Sequence, residues 1–257
     1  MAKKKKALVL VPFAMDEQGV NNRRQQLTTV SLGPDIDFDF KPVTAGPEMY
    51  MSPHDFVMMD MAIFEAGLSA QDDGYDAVCI DTMSDSGLDA LRAWLDIPVV
   101  GPGKLSMTFA MNLGNKFGLL AQWEPSVIRN QKMVKSLGLE AFCAAIENYD
   151  APPDYKNLLT GKEDKTLPKM KAACERAIEK GADVICLGST TMYQAADYLN
   201  RELPVPVINP GALTYKTVET LLAMGISHSR RPYPKPLKPH PNMIHAMMKA
   251  AAEKAGT

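Results

Sequence analysis

One supersecondary pattern occurs twice in this chain, and that repeat limits its architecture more than any other feature. Residues 74–103 read GYDAVCIDTMSDSGLDALRAWLDIPVVGPG and residues 181–211 read GADVICLGSTTMYQAADYLNRELPVPVINPG. In both, a Gly, an Asp-led apolar run, a hydroxyl residue, a helical stretch and a PV-apolar-x-PG ending follow in the same order. An offset of 107 residues sets Cys79 on Cys186 and Thr82 on Ser189, and one inserted residue then sets Pro98 on Pro206 and Gly103 on Gly211. A strand-loop-helix-strand unit used twice predicts an α/β fold of two pseudo-symmetric lobes, each a short parallel β-sheet flanked by helices. The two matching hydroxyl positions point to an active site between the lobes.

At 257 residues, two lobes of ordinary size fit, each large enough to bury its own core. The expected division is 1–107 plus 214–257 for the first lobe, with the C-terminal helices packing back on it, and 108–213 for the second. Charged residues at 23% and a net charge of -2 give no reason to expect nucleic acid or a membrane surface as a partner. The run Lys3-Lys4-Lys5-Lys6 reads as a solvated end leading into the first strand. No apolar stretch approaches the roughly 20 residues of a membrane span, so a cytoplasmic protein is expected. Cys79, Cys143, Cys174 and Cys186 are far apart, without metal-ligand or disulfide spacing. No metal and no cofactor is expected from them.

Apolar runs and breakers outline the elements. ALVLVPF (7–13), FDFKPVTA (38–45), DAVCID (76–81) and PVVGP (98–102) read as first-lobe strands. Helical character is expected at the start of NNRRQQLTTVSL, after Ser52-Pro53-His54-Asp55, and over 86–95. In the second lobe KFGLLA (116–121) and FCAAIEN (142–148) read as strands, and 125–139 and 167–182 as helices. The polar, proline-bearing excursion 151–166 is either a lid or an insertion. After a helix in ALTYKTVETLLAMG, the prolines of HSRRPYPKPLKPHP predict an extended arm, and NMIHAMMKAAAEKA a closing helix.

Ligands of open parallel α/β sheets bind beyond the carboxyl ends of the strands, where loops enter helix N-termini. Here those loops are Thr82-Met83-Ser84-Asp85-Ser86 and Ser189-Thr190-Thr191. Small hydroxyl residues and outward N–H groups at a helix start favour an anion, most simply a carboxylate, although ordinary N-caps use the same residues.

These two segments resemble the Asp/Glu/hydantoin racemase superfamily, and its hydantoin and allantoin racemase branch in particular. The matching residues are Asp85, Gly87 and Leu88-Asp89-Ala90-Leu91, then Ile97-Pro98-Val99-Val100-Gly101, then Leu187-Gly188-Ser189 with Met192, and HSRRPYP (228–234). The resemblance implies a cofactor-independent isomerase or racemase, often a homo-oligomer, acting on a carbon next to a carboxylate or imide carbonyl. In that family each lobe contributes one cysteine at a strand end. Those cysteines fall on Thr82 and Ser189, so neither is present. The family's Asn-Pro-Asn turn after the first strand is also absent.

A thiol with a pKa of about 8.5 can be tuned to exchange a proton at neutral pH, whereas an aliphatic hydroxyl needs a strong partner base. The hydroxyls can still hold a carboxylate or stabilise an enolate-like oxyanion. The expected activity is therefore that of a racemase-superfamily enzyme on a small carboxylate or cyclic amide. Alternatives are a lyase (decarboxylase) or hydrolase using the same oxyanion pockets, or a non-catalytic carboxylate-binding protein. Candidates for proton transfer are Asp81, Asp85 and His54, beside Thr82 and Ser189. Candidates for contact with the substrate are Met83, Ser84, Thr190 and Thr191 in the loops, Arg24 (or its neighbour Arg23) for a carboxylate, and Gln122 and Trp123 after the second lobe's first strand.

Overall fold

The computed structural model describes residues 4–151 and 161–255. The chain divides into two compact units, Met1–Gly101 with Thr214–Thr257, and Pro102–Leu213. It is an α/β protein of two lobes, each built on a four-stranded parallel sheet flanked by helices.

The first unit runs β1 (Lys5–Val11), α1 (Glu17–Arg24), β2 (Ile36–Pro42), α2 (Pro53–Gly67), β3 (Ala77–Ile80), α3 (Leu88–Trp94) and β4 (Val99–Val100), with sheet order β2-β1-β3-β4. β1 beyond its two lysines, β3 and β4 are buried on both faces and read as continuous apolar runs, whereas the edge strand β2, IDFDFKP, alternates. β1 begins inside the lysine run, where Lys4 and Lys5 form ion pairs with Asp37 and Asp76 at 2.5 and 2.9 Å. α2 carries the capping box legible in the sequence. The Ser52 side chain accepts from the Asp55 backbone, the Asp55 side chain accepts from the Ser52 backbone, and Pro53 opens the helix. Leu10, Ile80 and Val99 of the sheet pack with Met59, Ile63 and Ala66 of α2 and with Leu91 of α3.

The second unit repeats the plan with α4 (Pro102–Ala110), β5 (Phe117–Ala121), α5 (Glu124–Ser136), β6 (Cys143–Asn148), α6 (Glu163–Glu179), β7 (Val184–Leu187), α7 (Ala196–Glu202) and β8 (Val207–Ile208). Its sheet order is β6-β5-β7-β8, the same as in the first unit. Leu120, Ile185 and Leu187 pack with Met170, Ala173 and Ala177 of α6 and Leu199 of α7.

After β8 come α8 (Pro210–Met224) and α9 (Pro241–Ala255). Tyr215 of α8 meets Phe38 of β2 with ring centroids 5.2 Å apart, and Met248 and Ala252 of α9 join the first unit's core. The arm between the two helices has no regular structure, as its prolines require, and it is tied down at the carboxyl end of α3. There His228 Nε2 and Arg230 Nη1 bond the Arg92 carbonyl at 2.8 and 2.7 Å, and Arg230 also donates to the Leu95 carbonyl. These donors satisfy carbonyls that the helix end leaves without intrahelical partners.

Two expectations shift. α1 starts at Glu17, capped by Asp16, and after Arg24 it tightens into a 3-10 turn over Gln25–Thr29. α6 starts at Glu163, four residues before the expected 167, with Pro168 inside the helix. Its buried face, Thr166, Met170, Ala173, Cys174 and Ala177, already has helical spacing ahead of the proline, so packing carries the helix past the missing N–H. Residues 152–160 of the 151–166 excursion lie outside the described residues, and with them its reading as a lid or an insertion. No described helix is long and apolar enough to cross a membrane.

Candidate active site

The repeat is built the same way at both strand ends. β1 pairs with β3 up to Leu10 beside Ile80, and β5 with β7 up to Leu120 beside Leu187. One residue later the Asp81 N–H donates to the Leu10 carbonyl and the Gly188 N–H to the Leu120 carbonyl, each at 2.9 Å. Thr82 and Ser189 come next, so both hydroxyl residues leave the sheet from the same point.

In the first unit Thr82 is half-buried. Its Oγ1 lies 3.1 Å from Ser84 Oγ, which in turn lies 3.0 Å from Ser86 Oγ and 3.5 Å from Met59 Sδ. In the second unit Ser189 Oγ lies 2.7 Å from Thr191 Oγ1 and accepts the Thr191 N–H at 3.3 Å. The offset of 107 that relates Thr82 to Ser189 also relates Ser84 to Thr191. Each strand end therefore carries a hydroxyl pair two residues apart and joined by a hydrogen bond. Thr190 and Met83 alternate with these hydroxyls and are buried, so their side chains pack inward.

The acids behave differently from one another. Asp81 is 3% exposed, and its carboxylate is held by Arg23 Nη1 at 3.2 Å and Gln26 Nε2 at 3.1 Å. Arg23 itself is buried and lies over the Phe13 ring, 5.8 Å from its centroid. Asp81 is thus one half of a buried ion pair. Asp85 sits on the Thr82 loop with a left-handed φ of 53°. Its Oδ1 packs over Gly101, where a Cβ would lie only 2.5 Å away.

His54 does not join the loop among the described contacts. Its side chain is 80% exposed, and its Nδ1 lies 3.1 Å from Asp55 Oδ1 at the start of α2. The Asp55 carboxyl is held far below the usual carboxylate range, first by the Met51 N–H, then by His54 and Ser52. Arg24 also turns away: its guanidinium bonds Asn21 at 2.6 Å and Glu17 at 3.1 Å on the helix surface. Of the two neighbouring arginines, the buried one is Arg23.

Gln122 and Trp123 follow β5 in the second unit. Gln122 is buried, and its carbonyl accepts the Ala151 N–H at 3.2 Å. Trp123 is half-buried and opens α5 in an extended conformation. Beside them stand residues that the sequence reading missed. Arg129 Nη2 donates to Asn130 Oδ1 at 3.0 Å and to the Gly188 carbonyl at 3.3 Å. The signal that locates them is the repeat itself, because carrying the offset of 107 back from Asp81 and Gly188 sets Arg23 on Asn130 and Val20 on Val127.

Cys79 and Cys186, each three residues before a hydroxyl position, are wholly buried in β3 and β7, and burial pushes both thiols well above their ordinary value. Among the described residues no group of three or more His, Cys, Asp or Glu side chains could hold a metal ion. The two loops can donate hydrogen bonds to an oxyanion or a carboxylate, but their hydroxyls cannot serve as bases at neutral pH without a partner.

Comparison with known proteins agrees with this architecture. Residues 22–218 match the family described as Asp/Glu/Hydantoin racemase. A hydantoin racemase of Rhizobium meliloti is 29% identical over 160 residues, which span 61% of this chain and 64% of that protein. The matched segment is thus slightly under two thirds of the relative's length. A solved structure of allantoin racemase from Klebsiella pneumoniae superposes with a TM-score of 0.80 at 24% identity, covering 92% of this chain and 95% of that one. An arylmalonate decarboxylase structure shares the fold more loosely, with a TM-score of 0.56 at 17% identity over 89% of this chain and 96% of the other. The match runs through both repeats and both hydroxyl loops, and the chain belongs to the Asp/Glu/hydantoin racemase family.

Proposed function

We propose that the protein is a cofactor-independent enzyme that acts on a small carboxylate or cyclic amide by stabilising an enolate-like oxyanion, nominally as an isomerase or racemase. The observation that carries this reading is the pair of matching hydroxyl clusters, Thr82 with Ser84 and Ser189 with Thr191, at equivalent strand ends. Two hydroxyls that share one hydrogen bond still have a second proton to offer outward. An oxyanion next to the reacting carbon is the species such donors stabilise more than they stabilise the ground state. With Asp81 engaged by Arg23 and Gln26, proton transfer in this reading falls to Asp85 or to a group on the substrate.

A lyase is the second reading, and the replacement of both family cysteines by hydroxyl residues favours it. Decarboxylation of a malonate-like acid breaks the bond to the departing CO2 and leaves its electron pair in an enediolate. Oxyanion donors stabilise that intermediate, and a single proton delivered to carbon completes the reaction, so two opposed bases are not required.

Proton NMR in deuterated buffer separates the readings, using hydantoins, amino acids, substituted malonates and hydroxy acids. Loss of an α-proton signal without a new compound is the isomerase result. A decarboxylated product moves the assignment to lyase. No change in any compound, with the protein folded, contradicts both.

A further inference from the structure

A loop that leaves a strand and enters a helix must pair the N–H groups that the helix start leaves without partners, and the two repeats do so differently. At the second strand end Ser189 is its own cap, with its Oγ accepting the Thr191 N–H. At the first, the cap of α3 is Gly87, which has a left-handed φ of 71° and no side chain to offer. Ala90, three residues on, cannot reach back to the Gly87 N–H as the acid of a capping box does. The acceptor comes instead from α2, where Asp60 Oδ1 takes the Gly87 N–H at 3.0 Å. Its neighbours on α2 seat the rest of the loop. Met59 Sδ lies 3.5 Å from Ser84 Oγ, and Ile63 closes over Gly87, where a Cβ would lie 2.8 Å from Ile63 Cγ2.

The backbone held in this way is a constrained one. Asp85 and Gly87 are both left-handed, with Ser86 between them, and the Asp85 N–H turns back onto the Thr82 carbonyl at 3.1 Å. Ser86 is buried, and its Oγ ends the hydroxyl chain that runs through Ser84 to Thr82. A shift of Gly87 therefore moves Ser86 and, through two hydrogen bonds, the Thr82 hydroxyl. We propose that Asp60 is a positioning residue for the reaction at Thr82: by holding the Gly87 N–H it sets the direction in which that hydroxyl points. This rests on the proposed function, in which Thr82 meets the substrate and Asp60 does not.

The test compares the full chain as wild type, Asp60→Ala, Asp60→Asn and the double variant Asp60→Ala with Thr82→Ala. Turnover or α-deuterium exchange is measured on whichever panel compound the wild type transforms, phenylmalonate and 5-benzylhydantoin first, well below every melting temperature. Asp60→Ala is expected to lower kcat roughly 10- to 100-fold and to change KM less than about threefold, because the donor remains but is turned from the developing charge. Asp60→Asn keeps an acceptor at the same reach and should bring kcat to within about fivefold of wild type. With Thr82 already changed to Ala, the loss of Asp60 should slow the reaction less than about twofold further, since the hydroxyl it orients is gone. The Gly87 amide, followed by NMR, should exchange with solvent roughly tenfold faster in Asp60→Ala and near the wild-type rate in Asp60→Asn. Should Asp60→Ala fail to fold, Asp60→Glu keeps the charge and moves the acceptor, and it must show the same fall in kcat with KM held.

A purely structural role lowers the melting temperature and leaves kcat in place. That result, an Asp60→Asn variant no better than Asp60→Ala, an unchanged Gly87 amide, or losses at Asp60 and Thr82 that simply multiply would each overturn the proposal. The enzymatic reading fails separately. A folded wild type that transforms no panel compound removes the enzyme and the role of Asp60 with it, whereas turnover indifferent to Asp60→Ala removes the positioning role alone.

Discussion

At residue 81 and its counterpart 188 the same backbone position is filled by a buried carboxylate in one repeat and by glycine in the other. Asp81 and Arg23 are both buried, so each makes the other's charge tolerable there. Arg23→Gln leaves the Asp81 carboxylate without its cation and is expected to cost about 3–5 kcal/mol of stability. The double variant Arg23→Gln with Asp81→Asn should cost less than the sum of the single changes. Urea denaturation of the three variants measures both effects, and additive losses would show that the pair is not coupled. Gly188→Ala forces a Cβ against the Leu120 carbonyl and should cost about 1–3 kcal/mol while displacing the Ser189 loop. The hydroxyl positions were legible from the repeat, and so was an arginine near the rim. The choice between Arg23 and Arg24 was not legible, because helical phase near a short, 3-10-terminated helix decides which side chain turns inward. Adjacency to Thr82 in sequence likewise says nothing of Arg23, the partner that α1 brings to Asp81.

Among the elements, those with chemical punctuation were the ones read well. Ser52, Pro53 and Asp55 fix the start of α2, and Ser52→Ala is expected to remove about 1 kcal/mol, visible as a lower melting temperature. α6 was placed late because Pro168 resembles a helix start, yet the buried spacing from Thr166 to Ala177 outweighs the lost hydrogen bond. The arm after α8 was legible as irregular, but not as the cap of α3 that it forms. His228 gives that cap a pH dependence. Burial, the largest cause, lowers its pKa below the ordinary 6.5, so in this window the unfolded chain binds more protons than the folded one. The stability His228 contributes is therefore complete above about pH 6.5 and is lost as pH falls through its depressed folded value. Melting curves between pH 8 and 5 should show this loss in the wild type and a smaller one in His228→Gln, and identical profiles would remove His228 as the cause.

For the molecule as a whole, the repeat made the fold readable without any single strong motif. It announced two lobes, each on a short parallel sheet, and the sheets are present as β2-β1-β3-β4 and β6-β5-β7-β8, a shared strand order that the sequence did not specify. The chemistry was less readable, because Thr82 and Ser189, on which the resemblance sets the family's cysteines, carry hydroxyls that do not by themselves specify a reaction. The central claim is that these two hydroxyl residues stabilise the reacting oxyanion. It is tested most directly by the turnover or α-deuterium exchange rate of wild type, Thr82→Ala, Ser189→Ala and the double variant, on whichever panel compound the wild type transforms. Each single change is predicted to slow the reaction roughly 100- to 1000-fold, and the double change to bring it to background with the protein still folded. Undiminished turnover in the double variant would contradict the account and place the chemistry elsewhere in the molecule.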